Sequence, residues 1–205
     1  TSIHSLMELN MLDKLPNECQ KTFVQLQIYD SDWKTLRLPI WKSAQSLCNI
    51  LEQYLCCEQS NVSCTVNQRY PEIKDHLVQQ ICKNAADELI QLKGHISKVK
   101  VLTSNIEKSC SGLKASICGA RSLMSLDDFC KPKLFRPSYM QLVEWLNVMS
   151  AFYGEHYMKM NKQTCEFDFL KKNFSLSEFE ENSEDRAVID HIFTYVATFC
   201  ELGET

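Results

Sequence analysis

The sequence predicts an all-α fold, an elongated antiparallel bundle or set of helical hairpins with one long coiled-coil-like helix. Three observations support this prediction. Apolar residues recur at steps of three and four along most of the chain, the period of one helix face. Only 5 glycines and 5 prolines occur among the 205 residues, too few for the tight turns of an all-β fold. No segment has the alternating apolar and polar pattern of a half-buried strand.

The N-terminal part of the sequence is predicted to form an arm followed by two helices. Residues 1–16 lack a helix start signal, and we interpret them as a mobile arm or a short helix before a single helical domain over residues 17–202. The first helix is predicted over residues 17–36. Pro39 is expected to interrupt it, because proline lacks the amide donor and clashes with the preceding turn. The second helix is predicted over residues 40–57.

A long helix is predicted to begin at Pro71, since proline is tolerated in the first helical turn. The apolar steps over Leu89–Val99 alternate between three and four, as in a coiled-coil seam. The pattern continues to about residue 116 and is followed by the longest connection, over about 117–137. We expect one short helical turn in this connection, near Leu123–Phe129.

The next helix has the clearest start signal, because Ser138 and Gln141 have the spacing of a capping box. An apolar cluster is expected after it, at Phe167, Phe169 and Leu170. The last helix is predicted over residues 184–201, with Ser183 as its N-cap and Gly203 as its end. The predicted inward faces of the two helices are Leu142, Val143, Leu146, Met149, Tyr153, Tyr157 and Met160 in one, and Ile189, Ile192, Val196 and Phe199 in the other.

The chain has 11 cysteines at irregular spacings. An odd number suits a secreted disulfide framework poorly, and we predict reduced thiols in an intracellular protein. Cys82, Cys110 and Cys200 fall at apolar positions of helical patterns, where cysteine acts as a small buried hydrophobe. The sequons at Asn61 and Asn173 favour the alternative, a secreted four-helix cytokine-like ligand.

The formal net charge of −4 argues against a general nucleic-acid binder, which needs a concentrated basic surface. Lysines do recur along the long helix, at positions 93, 98, 100, 108 and 114. We interpret them as a solvated face, with a contact surface for an acidic partner or ribosomal RNA as the alternative. No run of about 18 apolar residues occurs, so no membrane-spanning helix is expected.

No motif predicts catalysis, a cofactor or a metal ion. The sequence contains no glycine-rich phosphate loop and no His-Glu-x-x-His motif. His156 lies among aromatics and is interpreted as a packed histidine. The adjacent Cys56 and Cys57 are interpreted as core and helix edge, although a thiol enzyme is an alternative that labelling would test. We therefore predict that the chain is not an enzyme and has no catalytic, cofactor-binding or metal-binding residues.

The helix after Ser138 is apolar on two faces. Trp145 and Phe152 are seven residues apart and share one face, whereas Leu146 and Tyr153 lie on another. Such a helix is either central in its bundle or docked on another protein, and Trp and Tyr are frequent interface anchors. The residues predicted to bind a partner are Trp145, Phe152, Tyr153, Tyr157 and Lys159.

Several stretches occur in the order and approximate spacing of one protein family over about residues 20–202. They are Trp33, the Tyr70–Leu77 opening, the Leu89–Leu102 seam, Arg136–Leu146 with the following Tyr153, Tyr157 and Lys159, and the closing Val196–Glu201. On these stretches the chain resembles the AIRIM family, ribosome maturation factors that interact with the spermatogenesis-associated AAA+ ATPases.

The resemblance implies a non-catalytic adaptor or scaffold that acts in cytoplasmic maturation of the large ribosomal subunit. Its implied partners are an AAA+ ATPase pair, a second helical adaptor subunit and the pre-ribosomal large subunit particle, with no membrane. The ATPase would bind the nucleotide and release a shuttling assembly factor. The resemblance also implies a role in replication-linked proteostasis, and a protein that is both cytoplasmic and nuclear.

The chain departs from the family in being richer in cysteine and less basic after Tyr157. The second departure argues against direct RNA contact by that segment. One alternative is the sister helical subunit of the same complex, the cyclin-dependent-kinase-interacting protein. The Tyr70–Pro71 opening favours AIRIM.

Overall fold

The structure, a computed structural model, describes residues 2–60, 69–70, 72–132, 136–169, 171 and 173–202, and side chains between residues 12 and 198 of that set. Its described helices are α1 (Ser2–Gln59), α2 (Ile73–Ala120), α3 (Leu126–Cys130), α4 (Tyr139–Glu166) and α5 (Ser183–Leu202). Two 3-10 turns cover Arg121–Leu123 and Leu176–Phe179. No β-strand occurs among the described residues, and the all-α prediction is confirmed.

The chain divides into two compact units. The first unit consists of residues 1–33, 101–155 and 181–205, and the second unit of residues 34–100 and 156–180. Helices α1, α2 and α4 each contribute to both units. None of the described helices is long and apolar enough to cross a bilayer.

The core of the first unit consists of apolar side chains at helical spacing from four helices. These are Leu15, Cys19, Phe23, Leu26 and Trp33 of α1, Leu102, Ile106, Cys110, Leu113 and Ile117 of α2, Leu142, Leu146, Met149, Phe152 and Tyr153 of α4, and Ile189, Ile192, Phe193 and Val196 of α5. The predicted inward face of α5 is confirmed at its three described positions, and the side chain of Phe199 lies outside the described residues.

Helix α1 continues through Pro39, so the predicted interruption there is wrong. An internal proline costs a helix about 3 kcal/mol. Ile40 and Leu47, which follow Pro39 on the helix, are only 2% and 1% exposed. Because burying such a side chain contributes about 1.5–3 kcal/mol, their packing within the second unit offsets the cost of the proline. Residues predicted as an arm or short helix belong to the same helix, which begins at Ser2.

The C-terminal end of α1 is completed by side chains that bind its last carbonyl groups. Ser60 Oγ donates a hydrogen bond to the carbonyl of Cys57 at 2.7 Å. Lys74 Nζ donates to the carbonyls of Glu58 at 3.1 Å and of Ser60 at 3.3 Å. These bonds satisfy acceptors that lack an intrahelical partner, and the ammonium group suits the negative end of the helix dipole.

Helix α2 confirms the predicted long helix and ends at Ala120, four residues beyond the expected limit. At 1.5 Å per residue it is about 70 Å long. Pro71, its predicted start, lies outside the described residues. Cys110 is buried as predicted, but Cys82 is exposed, which corrects that prediction. The adjacent Ile81 occupies the buried position instead, because neighbouring residues in a helix point about 100° apart.

The connection between α2 and α4 contains the predicted helical turn. Ser125 caps α3, since its Oγ accepts a hydrogen bond from the amide of Asp128 at 3.1 Å. Asp127 pairs with Lys131 at 2.7 Å on the exposed side of the turn. Both acids of the Asp127–Asp128 pair therefore lie in the first turn of a helix, where the dipole favours negative charge.

The capping box predicted for α4 is present. The amide of Gln141 donates to Ser138 Oγ at 3.2 Å, and the amide of Ser138 donates to Gln141 Oε1 at 2.9 Å. Of its predicted inward face, Leu142, Leu146, Met149, Tyr153 and Met160 are buried, and Val143 and Tyr157 are half-buried.

The N-cap of α5 is Asn182, which corrects the prediction of Ser183. Asn182 Oδ1 accepts a hydrogen bond from the amide of Glu184 at 3.0 Å. Asn and Ser are about equally good N-caps, so two adjacent candidates cannot be separated by residue type. Gly203, the predicted end of this helix, lies outside the described residues.

The second unit carries an aromatic cluster after α4. Tyr54 of α1 packs edge-on against Phe169 with ring centroids 4.6 Å apart. Phe167 packs edge-on against Phe169 at 6.3 Å and against Phe174 at 5.2 Å. The predicted cluster is confirmed at Phe167 and Phe169, while Leu170 lies outside the described residues.

Candidate interaction surface

A buried polar network joins α1, α4 and α5 in the first unit. Asp30 of α1 accepts a 2.6 Å hydrogen bond from the Tyr153 hydroxyl of α4. Its other oxygen accepts a 2.8 Å bond from Arg186 Nη2 of α5. Arg186 Nη1 lies 2.7 Å from Asp30 Oδ1, and the side chains of this pair are only 13% and 7% exposed. Arg186 also donates to Asp190 at 2.6 Å.

The charges in this network are fixed by its geometry. Burial raises the pKa of Tyr153 well above its usual value, and the negative charge of Asp30 raises it further. Burial alone would lower the pKa of Arg186, but the bonds to Asp30 and Asp190 outweigh it and raise the pKa. Tyr153 therefore stays neutral and Arg186 stays cationic. Such a network positions the three helices that contribute to it.

An aromatic group surrounds the network. Trp33 packs edge-on against Tyr153 with ring centroids 5.0 Å apart, and its indole NH donates to Glu181 Oε1 at 2.6 Å. Phe152 packs edge-on against Tyr153 at 5.0 Å, and the Arg186 guanidinium lies 6.0 Å from its ring centroid. Phe152 and Tyr153, two of the predicted partner-binding residues, are thus only 7% and 1% exposed.

Trp145 occupies a different position from these two rings. It is half-buried and packs edge-on against Tyr195 of α5, with ring centroids 5.3 Å apart. Val148 lies three residues after Trp145 on α4 and is 41% exposed. On α5, Val188 and Tyr195 lie seven residues apart and are 48% and 41% exposed. We call these four residues the α4–α5 strip. A Trp–Tyr pair beside exposed valines is typical of a protein-interaction surface.

The other two predicted partner-binding residues belong to the second unit. Lys159 is exposed, and Tyr157 is half-buried in the wall of a cavity between α2 and α4. His156 beside them is buried, as expected for a packed histidine.

The sequence interpretation missed Asp30 and Arg186. Asp30 continues the buried positions 19, 23, 26 and 33 of α1, and Arg186 precedes Ile189 by three residues on the inward face of α5. A charged residue in a buried helical position needs a partner of opposite charge. That pattern could have indicated both residues, although not that they pair with each other.

The nine described cysteines are free thiols. Burial raises the pKa of Cys19 and of Cys110 from 9.0 to about 12. A thiol with such a pKa is neutral and unreactive at neutral pH. Among the residues whose placement is described, no group of three or more His, Cys, Asp or Glu could hold a metal ion.

The fold and the α4–α5 strip define an all-α protein with an exposed aromatic surface. Comparison with family models matches residues 13–193 to the family described as ribosome biogenesis protein C1orf109-like. The chain belongs to this family of ribosome biogenesis proteins, which is the AIRIM family that the sequence resembles. A search of the curated proteins found no match.

Proposed function

We propose that this ribosome biogenesis protein is a non-catalytic adaptor subunit of an AAA+ ATPase complex that matures the large ribosomal subunit. The ATPase supplies the energy to release a shuttling assembly factor, and this chain holds the ATPase to its partners. Family membership supports a role in ribosome biogenesis. The resemblance to the AIRIM family adds the ATPase complex, and it favours this subunit over its helical sister.

The observation that carries the adaptor role is the α4–α5 strip. Trp145 and Tyr195 present large rings in edge-to-face contact, with Val148 and Val188 exposed beside them. Trp and Tyr are enriched among the few residues that supply most of the binding energy in protein interfaces, and the contacts around them mainly exclude water. Phe152 and Tyr153 contribute indirectly, since their buried rings hold α4 in the core of the first unit.

We also propose that the chain acts in the cytoplasm and is present in the nucleus. In this proposal the complex releases a shuttling assembly factor from large-subunit precursors in the cytoplasm. Fractionation of cells that carry the tagged chain tests this part. Depletion of the chain should leave the shuttling factor on cytoplasmic large-subunit precursors.

Affinity purification of the tagged chain from its own cells, followed by mass spectrometry, tests the partners. We expect an AAA+ ATPase pair, a second helical subunit and late large-subunit precursors. Recovery of secretory-pathway chaperones without these partners would overturn the proposal and favour the cytokine-like alternative.

A Trp145→Ala variant tests the surface itself. We expect it to lose most of the ATPase recovery while the thermal midpoint of the purified chain changes little, because Trp145 is only half-buried. Leu126→Ala is the matched control, since Leu126 is 65% exposed in the same unit but lies outside the strip. Parallel losses of binding and stability in Trp145→Ala would contradict an interface role for this residue.

A further inference from the structure

A cavity in the second unit combines two cations with an aromatic ring. Its volume is about 310 Å³, at the lower end of the range for ligand sites. Helix α2 contributes Lys93 and Lys100 to its wall, and α4 contributes Tyr157, Asn161 and Cys165. None of the described residues that line the cavity is acidic. The cavity therefore presents positive charge without a carboxylate in its own wall to neutralise it.

The two lysines lie on one face of α2. They are seven residues apart, which places them two turns apart and separates their backbones by about 10 Å along the axis. Both side chains are exposed. This spacing suits successive charges of a polyanion better than one compact anion.

The α4 side of the cavity provides recognition of a different kind. Tyr157 is half-buried and lines the cavity, so an aromatic residue forms part of its wall. Asn161 adds a side-chain amide, whose nitrogen donates hydrogen bonds to anionic oxygens. A basic groove with an exposed aromatic ring is the arrangement by which proteins hold single-stranded nucleic acid, with bases stacked on the ring.

The distribution of charge between the two units supports an anionic ligand. The second unit contains 13 Lys and Arg against 10 Asp and Glu, a formal charge of +3. The first unit contains 9 Lys and Arg against 16 Asp and Glu, a formal charge of −7. The acidity of the whole chain thus arises in the first unit. A locally basic surface attracts anions even on a protein of negative net charge.

We propose that this cavity binds single-stranded RNA, with Lys93 and Lys100 on successive phosphates and Tyr157 against a base. The ring favours RNA over an acidic peptide, because carboxylates alone would gain nothing from a stacking surface. The sequence expectation against RNA contact rested on the net acidity of the chain and on the few basic residues after Tyr157. Helix α2 supplies Lys93 and Lys100 to the cavity beside this part of α4. This inference adds a ligand to the adaptor proposal.

Fluorescence anisotropy with the purified full chain and a labelled single-stranded oligouridine tests the proposal. We expect Lys93→Gln/Lys100→Gln to weaken binding ten-fold or more at low salt. The slope of log affinity against log salt should fall by about 1.4, since each phosphate contact on a single strand contributes about 0.7. Tyr157→Leu should weaken binding about five-fold or more with an unchanged slope, because stacking is not ionic.

The matched control is Lys83→Gln/Lys98→Gln. These two lysines are exposed on the same helix of the same unit but do not line the cavity, and the charge removed is equal. We expect the control to retain most of the affinity. Equal losses in the two double variants would overturn the proposal, since overall charge would then explain the binding. Binding of polyglutamate but not of RNA would also overturn it.

Thiol labelling provides a second readout on the unmodified chain. Cys165 lines the cavity, and Cys82 is exposed elsewhere on the second unit. We expect bound RNA to slow iodoacetamide labelling of Cys165, measured by peptide mass spectrometry, and to leave Cys82 unchanged. Labelling of Cys165 at the same rate with and without saturating RNA would contradict the proposal. Because no other protein is present, this result is independent of whether the AAA+ partners are recovered from cells.

Discussion

The hydroxyl of Tyr153 donates a 2.6 Å hydrogen bond to Oδ1 of Asp30, a residue 123 positions earlier in the chain. Asp30 is at the same time paired with Arg186. One carboxylate thus connects three helices of the first unit. Because ion pairs and hydrogen bonds require specific geometry, this network specifies how α1, α4 and α5 pack in a way that apolar contacts alone would not.

Removal of the Tyr153 hydroxyl should weaken the first unit without breaking its ion pair. In Tyr153→Phe the ring keeps its packing against Trp33, and Asp30 keeps Arg186. A hydrogen bond to a charged group contributes about 1.5–3 kcal/mol, so we expect the free energy of unfolding to fall by about 2 kcal/mol. Urea denaturation followed by circular dichroism measures this change.

Tyr157→Phe is the control for that variant, since its ring is half-buried and its unit is the other one. We expect its effect to be within about 0.5 kcal/mol, as for most surface substitutions. If Tyr153→Phe were as stable as the unmodified chain, the Tyr153–Asp30 bond would not be formed in solution.

Removal of one member of the ion pair should be more severe. Asp30→Ala leaves the Arg186 guanidinium, 13% exposed, with Asp190 as its remaining anionic partner. Breaking a buried pair in this way costs about 3–5 kcal/mol. We expect a similar loss for Arg186→Met, which removes the guanidinium that pairs with the buried carboxylate of Asp30.

The double variant Asp30→Ala/Arg186→Met tests whether the two side chains stabilise each other. If the two side chains stabilise each other, the double variant should lose less stability than the sum of the two single losses, because no unpaired charge remains. Urea unfolding of the three variants gives the coupling energy. Simple addition of the two single losses would show that the side chains act independently.

Features set by neighbouring residues could be predicted from the sequence. The capping box of Ser138 and Gln141 and the length of α2 follow from local patterns, and both are confirmed. The passage of α1 through Pro39 could not be predicted, because the local cost of proline is offset by burial of Ile40 and Leu47 in the second unit. Tertiary packing determines whether the helix continues through Pro39, and the sequence around Pro39 alone does not show that packing.

For the candidate surfaces too, local patterns could be predicted from the sequence, whereas contacts between distant residues could not. Periodicity indicated an aromatic helix, but Trp145 and Phe152 share a helical face and only Trp145 is near the surface. Phe152 is covered because it packs against Trp33 of α1, a contact between residues 119 positions apart. The lysines of the cavity wall were recognised as a group, whereas their approach to Tyr157 depends on how α2 packs against α4.

Alkaline pH should destabilise the chain through its buried thiols. The pKa of Cys110 is about 12 in the folded state and 9.0 as its ordinary value. Between these values the unfolded chain loses the proton and the folded chain keeps it, so stability is fully present below pH 9 and falls as pH rises. Each such thiol contributes up to about 1.4 kcal/mol per pH unit in that window.

The Cys110→Ala variant removes the contribution of this thiol to the pH dependence of stability. We expect the variant to be less stable than the unmodified chain at pH 7, because a small cavity replaces the sulfur, and the difference to narrow by pH 10.5. Cys118→Ala is the control, since Cys118 is an exposed thiol of the same helix and unit. Urea unfolding at both pH values gives the comparison, and a constant difference for Cys110→Ala would contradict a raised pKa in the folded state.

Two glycines within α2 should be replaceable with a gain in stability. Beyond its chain neighbours and the nearby backbone of α2, a Cβ atom added at Gly112 or at Gly94 would meet no atom within 4 Å. Glycine inside a helix is less stable than alanine by about 0.8–1.0 kcal/mol, mainly because the unfolded glycine chain is more flexible. We expect Gly112→Ala in the first unit and Gly94→Ala in the second unit each to raise the free energy of unfolding by nearly this amount. Denaturation of each variant, followed by the helical circular dichroism signal, measures the gain. A loss of stability in either variant would show that α2 is not helical at that position in solution.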